Sequence, residues 1–269
     1  MKITFVGGGN MAAALISGLL RKGHAPGDIR VVEVLPEVRA RLEREFGVAC
    51  HAAVAEALDA EVLLLAVKPQ QMREALASVA GRLARQLVIS IAAGIRSADI
   101  KRWLGGYRRI VRTMPNTPAL IGAGITGLFA LPEVTDAERR QAESILAAVG
   151  ETLWIDNEAM MDGVTAVSGS GPAYVFYFIE ALQRAARALG FSETQARRLS
   201  LTTFLGACRL AVSGDEEVGL LRQRVTSKGG TTEAALRSLD DDLVAEAILR
   251  AVRAADTRGR ELGGLLGKD

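Results

Sequence analysis

The sequence predicts an α/β N-terminal half, a doubly wound Rossmann-type sheet, followed by an all-α C-terminal half that dimerises. Three observations lead there. Over residues 1–156, short apolar β-rich runs alternate with helical patterns, which implies a parallel sheet with helices on both faces. A glycine-rich turn, Phe5-Val6-Gly7-Gly8-Gly9-Asn10-Met11-Ala12, directly follows the first run and opens a helix. Beyond about Asn157 no convincing strand pattern remains, so residues 157–269 read as helices.

The elements follow in order. Lys2–Val6 is the first strand, and Met11–Lys22 carries apolar residues at helical spacing. Gly23-His24-Ala25-Pro26-Gly27 breaks that helix, and Ile29–Val34 is a second strand. Pro36 suits the first turn of the next helix, which runs to Phe46 and stops at Gly47. Val62–Val67 and Leu87–Ile91 are continuous apolar runs, as strands covered on both faces require, with a helix over Gln70–Arg85 between them. Ile110–Met114, Ile125–Ala130 and Thr152–Ile155 are later strands, the last two separated by a helix over Asp136–Val149.

In the second half Pro172 opens a helix and Gly190 ends it. Its stretch Ala173–Ile179 is apolar without interruption, so it should be buried all round. In so small a unit, that burial favours a second subunit over the chain's own neighbours. Tyr174, Phe176, Tyr177 and Phe178 cluster there. Helices over Glu193–Val212, Glu233–Ser238 and Asp241–Leu262 complete the reading.

Composition excludes several classes. The chain has 269 residues, 33 Lys+Arg, 31 Asp+Glu and a net charge of +2, with 49% hydrophobic residues. That is too apolar and too balanced for disorder. With seven Phe, three Tyr and two Trp, and no basic excess, nucleic-acid binding is not expected. No apolar stretch approaches the roughly 20 residues of a membrane helix, and Ile3–Val6 is too short for a signal-peptide core. Cys50 and Cys208 lie far apart, and His24 and His51 are the only histidines, so neither a disulfide framework nor a metal site is expected. A reducing cytoplasm is the expected compartment.

The chemistry sits in the turns. Gly7, Gly8, Gly9, Asn10 and Met11 have the form that lets a backbone approach a pyrophosphate at a helix N-terminus, with Ala12 allowing close helix packing. The alternative is a tight turn without a ligand. Glu33 stands where a carboxylate meets the adenosine ribose and repels a 2′-phosphate. Arg30, Arg39 and Arg41 nearby would serve a 2′-phosphate instead, and a solvated strand end is a third reading. Ala66-Val67-Lys68-Pro69 and Ser90-Ile91-Ala92-Ala93-Gly94 end strands at the side where such sheets bind ligands. Lys68 then points to the crevice, and the small residues leave room for a nicotinamide ring. Plain solvation and plain packing are the rival readings. In Arg112-Thr113-Met114-Pro115-Asn116-Thr117-Pro118 the prolines prevent a helix and fix a rigid loop that presents Asn116. Two glycine-rich loops, Ser168-Gly169-Ser170-Gly171-Pro172 and Val225-Thr226-Ser227-Lys228-Gly229-Gly230-Thr231-Thr232, remain. The second suits an anion nest at a helix N-terminus. Two helix caps explain them equally well.

Taken together, these residues resemble the pyrroline-5-carboxylate reductase family, the last enzyme of proline biosynthesis. The resemblance rests on VGGGNMA, AVKP at 66–69, SIAAG at 90–94, RTMPNTP at 112–118, DGVTAVSGSGPAYVF at 162–176 and VTSKGGTTEAAL at 225–236. It implies a Rossmann domain, an interleaved helical dimer with the active site at its interface, and reduction of a cyclic imine by NADPH or NADH. It further implies that Ser227, Gly230 and Thr231 hold the substrate carboxylate, Thr232 the ring nitrogen, and that Gly229, Ser168 and Glu158 belong to the substrate side. Lys68 and Thr232 are then the catalytic candidates. Lys68, Pro69, Ala92, Ala93 and Gly94 line the nicotinamide and its ribose, with Ala66, Val67 and Asn116 beside them. Glu33-Val34-Leu35-Pro36, Lys228 and Arg224 depart from the family pattern, and the first of these opens the choice between NADPH and NADH. Two rival functions remain. One is a two-domain NAD(P) dehydrogenase of the 3-hydroxy-acid type, which needs a catalytic lysine in the helical half. The other is a non-catalytic NAD-binding sensor, which needs no anion loops.

Overall fold

A computed structural model describes residues 1–268. The chain divides into two compact units, Met1–Ser170 with the segment from Ala255 onward, and Gly171–Ala254.

The first unit is built on an eight-stranded sheet. Its strands are β1 (Ile3–Val6), β2 (Ile29–Val32), β3 (Ala49–His51), β4 (Val62–Leu65), β5 (Leu87–Ser90), β6 (Ile110–Met114), β7 (Gly124–Ala130) and β8 (Gly150–Trp154). The order is β3-β2-β1-β4-β5-β6-β7-β8. β1 pairs in parallel with both β2 and β4, Ile3 opposing Ile29 on one side and Val62 on the other. The order therefore reverses beside β1, and the crevice of such a sheet opens there, beyond the carboxyl ends of the strands. Alternate residues feed two cores. Ile3, Phe5, Val62 and Leu64 face one, and Val6, Leu63, Leu65 and Val88 face the other.

The helices of this unit are α1 (Asn10–Arg21), α2 (Pro36–Phe46), α3 (Met72–Ala77), α4 (Ser97–Trp103), α5 (Asp136–Leu146) and α6 (Met160–Val164). α1 packs so tightly that a Cβ on Gly18 would stand 2.4 Å from the Ala148 carbonyl oxygen. Only glycine fits that crossing.

Four features depart from the sequence-based expectation. β3 is an additional edge strand, too short and polar to register as an apolar run. The helix expected over 70–85 ends at Ala77, because the chain turns through Gly81 at φ 73°. α4 was not anticipated. β6 and β7 are antiparallel, Thr113 opposing Leu128, whereas parallel pairing was expected throughout. The reason lies in the connection. Pro115–Ala123 holds a single 3₁₀ turn over Thr117–Ile121, too short for the crossover of a dozen or more residues that parallel neighbours need.

The second unit is all-helical, with α7 (Gly171–Ala188), α8 (Glu193–Val212), α9 (Val218–Arg224), α10 (Thr231–Asp241) and the first part of α11 (Val244–Leu266). α8 opens on a capping box between Ser192 and Gln195. Leu243, at φ 52°, separates α10 from α11. No residue of α7 is buried, and Phe176 and Tyr177 are 66% and 64% exposed. The all-round burial expected of Ala173–Ile179 is thus not supplied within one chain.

Candidate functional site

The first candidate region begins at the β1–α1 turn. Gly7 takes φ 102°, and a Cβ there would stand 2.7 Å from the Ala66 carbonyl oxygen. The turn thus nests against Ala66 and Val67 at the end of β4. Gly9 is the N-cap of α1, and no side chain caps that helix. A Cβ on Gly9 would meet nothing within 4 Å. Free N–H groups at a helix start beneath open space form a cradle for an anion. Asn10 is exposed and Met11 half-buried at its rim. These residues fit the pyrophosphate of a dinucleotide.

Glu33 follows β2. Its Oε2 accepts from the Gly8 N–H at 2.9 Å and its Oε1 from the Leu35 N–H at 3.0 Å. The carboxylate thus braces the glycine turn. Arg39 donates to the carbonyls of Glu33 and Val34 at 2.7 and 2.9 Å, and Arg41 to that of Gly8 at 3.3 Å. Glu33 and Arg41 therefore both hold the glycine turn, while Arg39 holds the backbone at Glu33 and Val34.

Lys68 is exposed just after β4 and makes no ion pair among the described residues. Pro69 is half-buried and starts a 3₁₀ turn. Ala92 is buried, and Ala93 and Gly94 are half-buried. Gly94 takes φ 79°, and α11 packs on it. A Cβ on Gly263 would stand 3.2 Å from the Gly94 carbonyl oxygen.

The segment expected as a glycine-rich loop at 168–172 is helical instead. A π turn over Thr165–Gly169 continues α6, and the Ser170 N–H bonds the Thr165 carbonyl at 2.8 Å. Two hydroxyls bond back along it, Thr165 donating to Met161 O at 2.8 Å and Ser168 to Val164 O at 2.9 Å, a pattern that bends helices. Asn116 grips the turn from outside. Its Nδ2 donates to Ser168 O at 3.2 Å, and its Oδ1 accepts from the Ile125 N–H at 2.9 Å. Such π turns cluster at functional sites.

Glu158 precedes α6. Its Oε1 accepts from the Ser97 N–H at 2.7 Å and from Arg112 Nη1 at 3.0 Å, and its Oε2 accepts from Ser97 Oγ at 2.5 Å. Arg112 lies in mid-sheet with its side chain 3% exposed, and its Nη2 is 3.9 Å from Asp162 Oδ1. Sequence reasoning gave Arg112, Asp162 and Ser97 no role. The available signal was a guanidinium inside the apolar strand Ile110–Met114.

The second candidate region is the start of α10. Gly230 is its N-cap, without a side-chain cap, and Gly229 takes φ 71°. The Gly230 N–H bonds Ser227 O at 3.0 Å, and a Cβ on Gly230 would stand 2.6 Å from Ser227 Oγ. The tight turn therefore sets the Ser227 hydroxyl over the helix start. Thr231 is exposed and Thr232 half-buried in the first turn. Glu233 accepts from the Gly229 N–H at 2.7 Å. Lys228 is exposed, and Arg224 pairs with Glu216 at 2.7 Å.

Burial pushes the Cys50 thiol up to about 11, with Glu43 adding to it. Among the described residues, no group of three or more His, Cys, Asp or Glu could hold a metal. No described helix is long and apolar enough to cross a membrane.

A curated relative from Pseudomonas aeruginosa, a pyrroline-5-carboxylate reductase, is 46% identical over 269 residues, covering 99% of this chain and 98% of its own. The chain belongs to the pyrroline-5-carboxylate reductase family. Within it, residues 158–262 match the model described as pyrroline-5-carboxylate reductase dimerisation. Residues 2–94 match the one described as NADP oxidoreductase, coenzyme F420-dependent. A solved pyrroline-5-carboxylate reductase from Coxiella burnetii is 41% identical with a TM-score of 0.91, covering 97% of this chain and 98% of its own. The Plasmodium falciparum pyrroline carboxylate reductase, solved with NADP bound, is 28% identical with a TM-score of 0.87, covering 98% of each chain. Both structures share the pairing of a Rossmann-type sheet with a helical C-terminal region.

Proposed function

We propose that this protein reduces the imine of L-Δ1-pyrroline-5-carboxylate to L-proline with NADPH or NADH, the final step of proline biosynthesis. The full-length relation to a pyrroline-5-carboxylate reductase carries this reading. The open cradle above Gly9 supports it.

A bound nicotinamide supplies the hydride. The chain supplies position. The uncapped start of α1 holds the pyrophosphate, and Lys68, Pro69, Ala92, Ala93 and Gly94 line the nicotinamide and its ribose. Ala66, Val67 and Asn116 back that wall. Ser227, Gly229, Gly230 and Thr231 hold the substrate carboxylate through N–H groups and hydroxyls. Glu233 already takes the Gly229 N–H, so the remaining donors carry most of that task. Thr232 hydrogen-bonds the ring nitrogen, and Ser168 and Glu158 complete the substrate side. A protonated imine is a strong electrophile, so orientation matters more than acid catalysis, and alignment alone is worth about 7 kcal/mol or more. Glu33 favours the free ribose hydroxyls of NADH, while Arg39 and Arg41 favour a 2′-phosphate.

The working form is a homodimer or a larger assembly of dimers, in which the exposed aromatic residues of α7 are covered. The cytoplasm is its place of action. The two rival functions are weaker. Lys228, the sole lysine between Lys101 and Lys268, precedes the N-cap of α10 and is not within a helix, so a 3-hydroxy-acid chemistry lacks its lysine. A sensor has no use for the α10 cradle. The test is oxidation of NADPH and of NADH in the presence of pyrroline-5-carboxylate. Consumption of at least one supports the reading. Consumption of neither, by folded protein that binds cofactor, refutes it.

A further inference from the structure

We propose that Arg112 is a positioning residue that fixes the cofactor-facing loop Ala92–Ser97 to the helix carrying Ser168, through Glu158 and Asp162. This rests on the reading of Ala92, Ala93 and Gly94 as the nicotinamide wall.

A guanidinium on a central strand loses its water, and such a charge persists only where partners replace the solvent. Arg112 stands opposite Ser90 on β5 and Phe129 on β7, with its side chain 3% exposed. A buried ion pair adds little net stability compared with apolar packing of the same volume, so its presence calls for a geometric reason. The partners supply one. Glu158 Oε1 is 3.0 Å from Arg112 Nη1, and the same carboxylate takes both the N–H and the hydroxyl of Ser97. Ser97 ends the loop that begins at Ala92. Asp162, on α6, lies 3.9 Å from Arg112 Nη2 and 3.8 Å from Arg96 Nη2. Arg96 precedes Ser97, so the loop is held at two successive residues by two acids that both answer to Arg112.

The helix side is equally constrained. Asp162 lies within the turn that leads into the π segment at 165–169, and Glu158 stands just before that helix. α11 closes the arrangement. Its Gly263 packs on the Gly94 carbonyl and on Arg96, and its Gly259 packs on Asp162. A side chain at Gly263 would press on the loop at Gly94 and Arg96, whereas one at Gly259 would only touch Asp162. Arg112 Nε has no hydrogen-bond partner, so the guanidinium is oriented by the two acids alone. Shifting either acid shifts the loop.

The test compares two ligands by calorimetry: intact NADPH, and the 2′-phosphate of ADP-ribose, which lacks the nicotinamide. The variants are Arg112→Lys and Ser97→Ala. Both should bind NADPH about fivefold more weakly while their affinity for the shortened ligand stays the same, since misplacement near the reacting ring is costly. In turnover, kcat should fall about tenfold for the same reason. Equal weakening of both ligands, or no weakening of either, overturns the proposal. Should Arg112→Lys fail to fold, Ser97→Ala decides, because it removes one hydroxyl and leaves the buried charges paired. Wild-type protein that binds NADPH yet leaves pyrroline-5-carboxylate unreduced refutes the function and not this inference, because both ligand arms read binding.

Discussion

The α-carbon of Gly7 faces the carbonyl of Ala66 so closely that a Cβ would stand 2.7 Å from that oxygen. The contact joins the β1–α1 turn to the end of β4, and with φ at 102° it admits no other residue without strain. Gly7→Ala should cost about 1–3 kcal/mol of stability and shift the cradle. Thermal melting and NADPH titration check this. An unchanged melting temperature with unchanged affinity would show that the turn has slack.

Glu33 touches the same turn, through the Gly8 N–H. Glu33→Ser should weaken use of NADH more than use of NADPH, because it removes a ribose acceptor and a charge that repels a 2′-phosphate. The ratio of kcat/KM for the two cofactors is the measurement. A constant ratio would confine Glu33 to bracing the turn.

Thr232 stands in the first turn of an uncapped helix, half-buried. Thr232→Ala should lower turnover about tenfold while cofactor affinity holds, as loss of one hydrogen bond to a reacting group implies. Equal loss of both would place Thr232 outside the substrate site.

The exposed Phe176 and Tyr177 on α7 bear on assembly. Exposed aromatics of this size on a helix mark an interaction face. Sedimentation at micromolar concentration should give a dimer or a multiple of one. Phe176→Asp should shift it toward monomer. A folded wild-type monomer would contradict the account.

Much of this was legible in the sequence, for reasons that differ by element. The helix Glu193–Val212 is found where expected, beyond Gly190, and in the structure a Ser192–Gln195 capping box fixes its start. The glycine turn was legible because it follows an apolar strand and precedes a helical pattern. The antiparallel β6–β7 pair was not, since apolar runs carry no direction and only the brevity of the connection reveals it. Gly169 and Gly171 make Ser168–Pro172 read as a glycine-rich loop, but Ser168 and Gly169 close a π turn over Thr165–Gly169, which Asn116 holds through the Ser168 carbonyl. The Arg112 network joins residues 96–97, 112 and 158–162, and no local pattern connects them. The sequence places the break between the last two helices at 239–240, and in the structure it falls at Leu243, whose positive φ no glycine marks.

Hydride delivery to the imine carbon of pyrroline-5-carboxylate leaves an isotopic trace in the product. Cofactor carrying deuterium at both C4 positions of the nicotinamide, so that either face delivers the label, is supplied and the product is analysed by mass. The account predicts proline carrying one deuterium at C5. Cofactor oxidation with no deuterium in proline, or no proline at all, would contradict it.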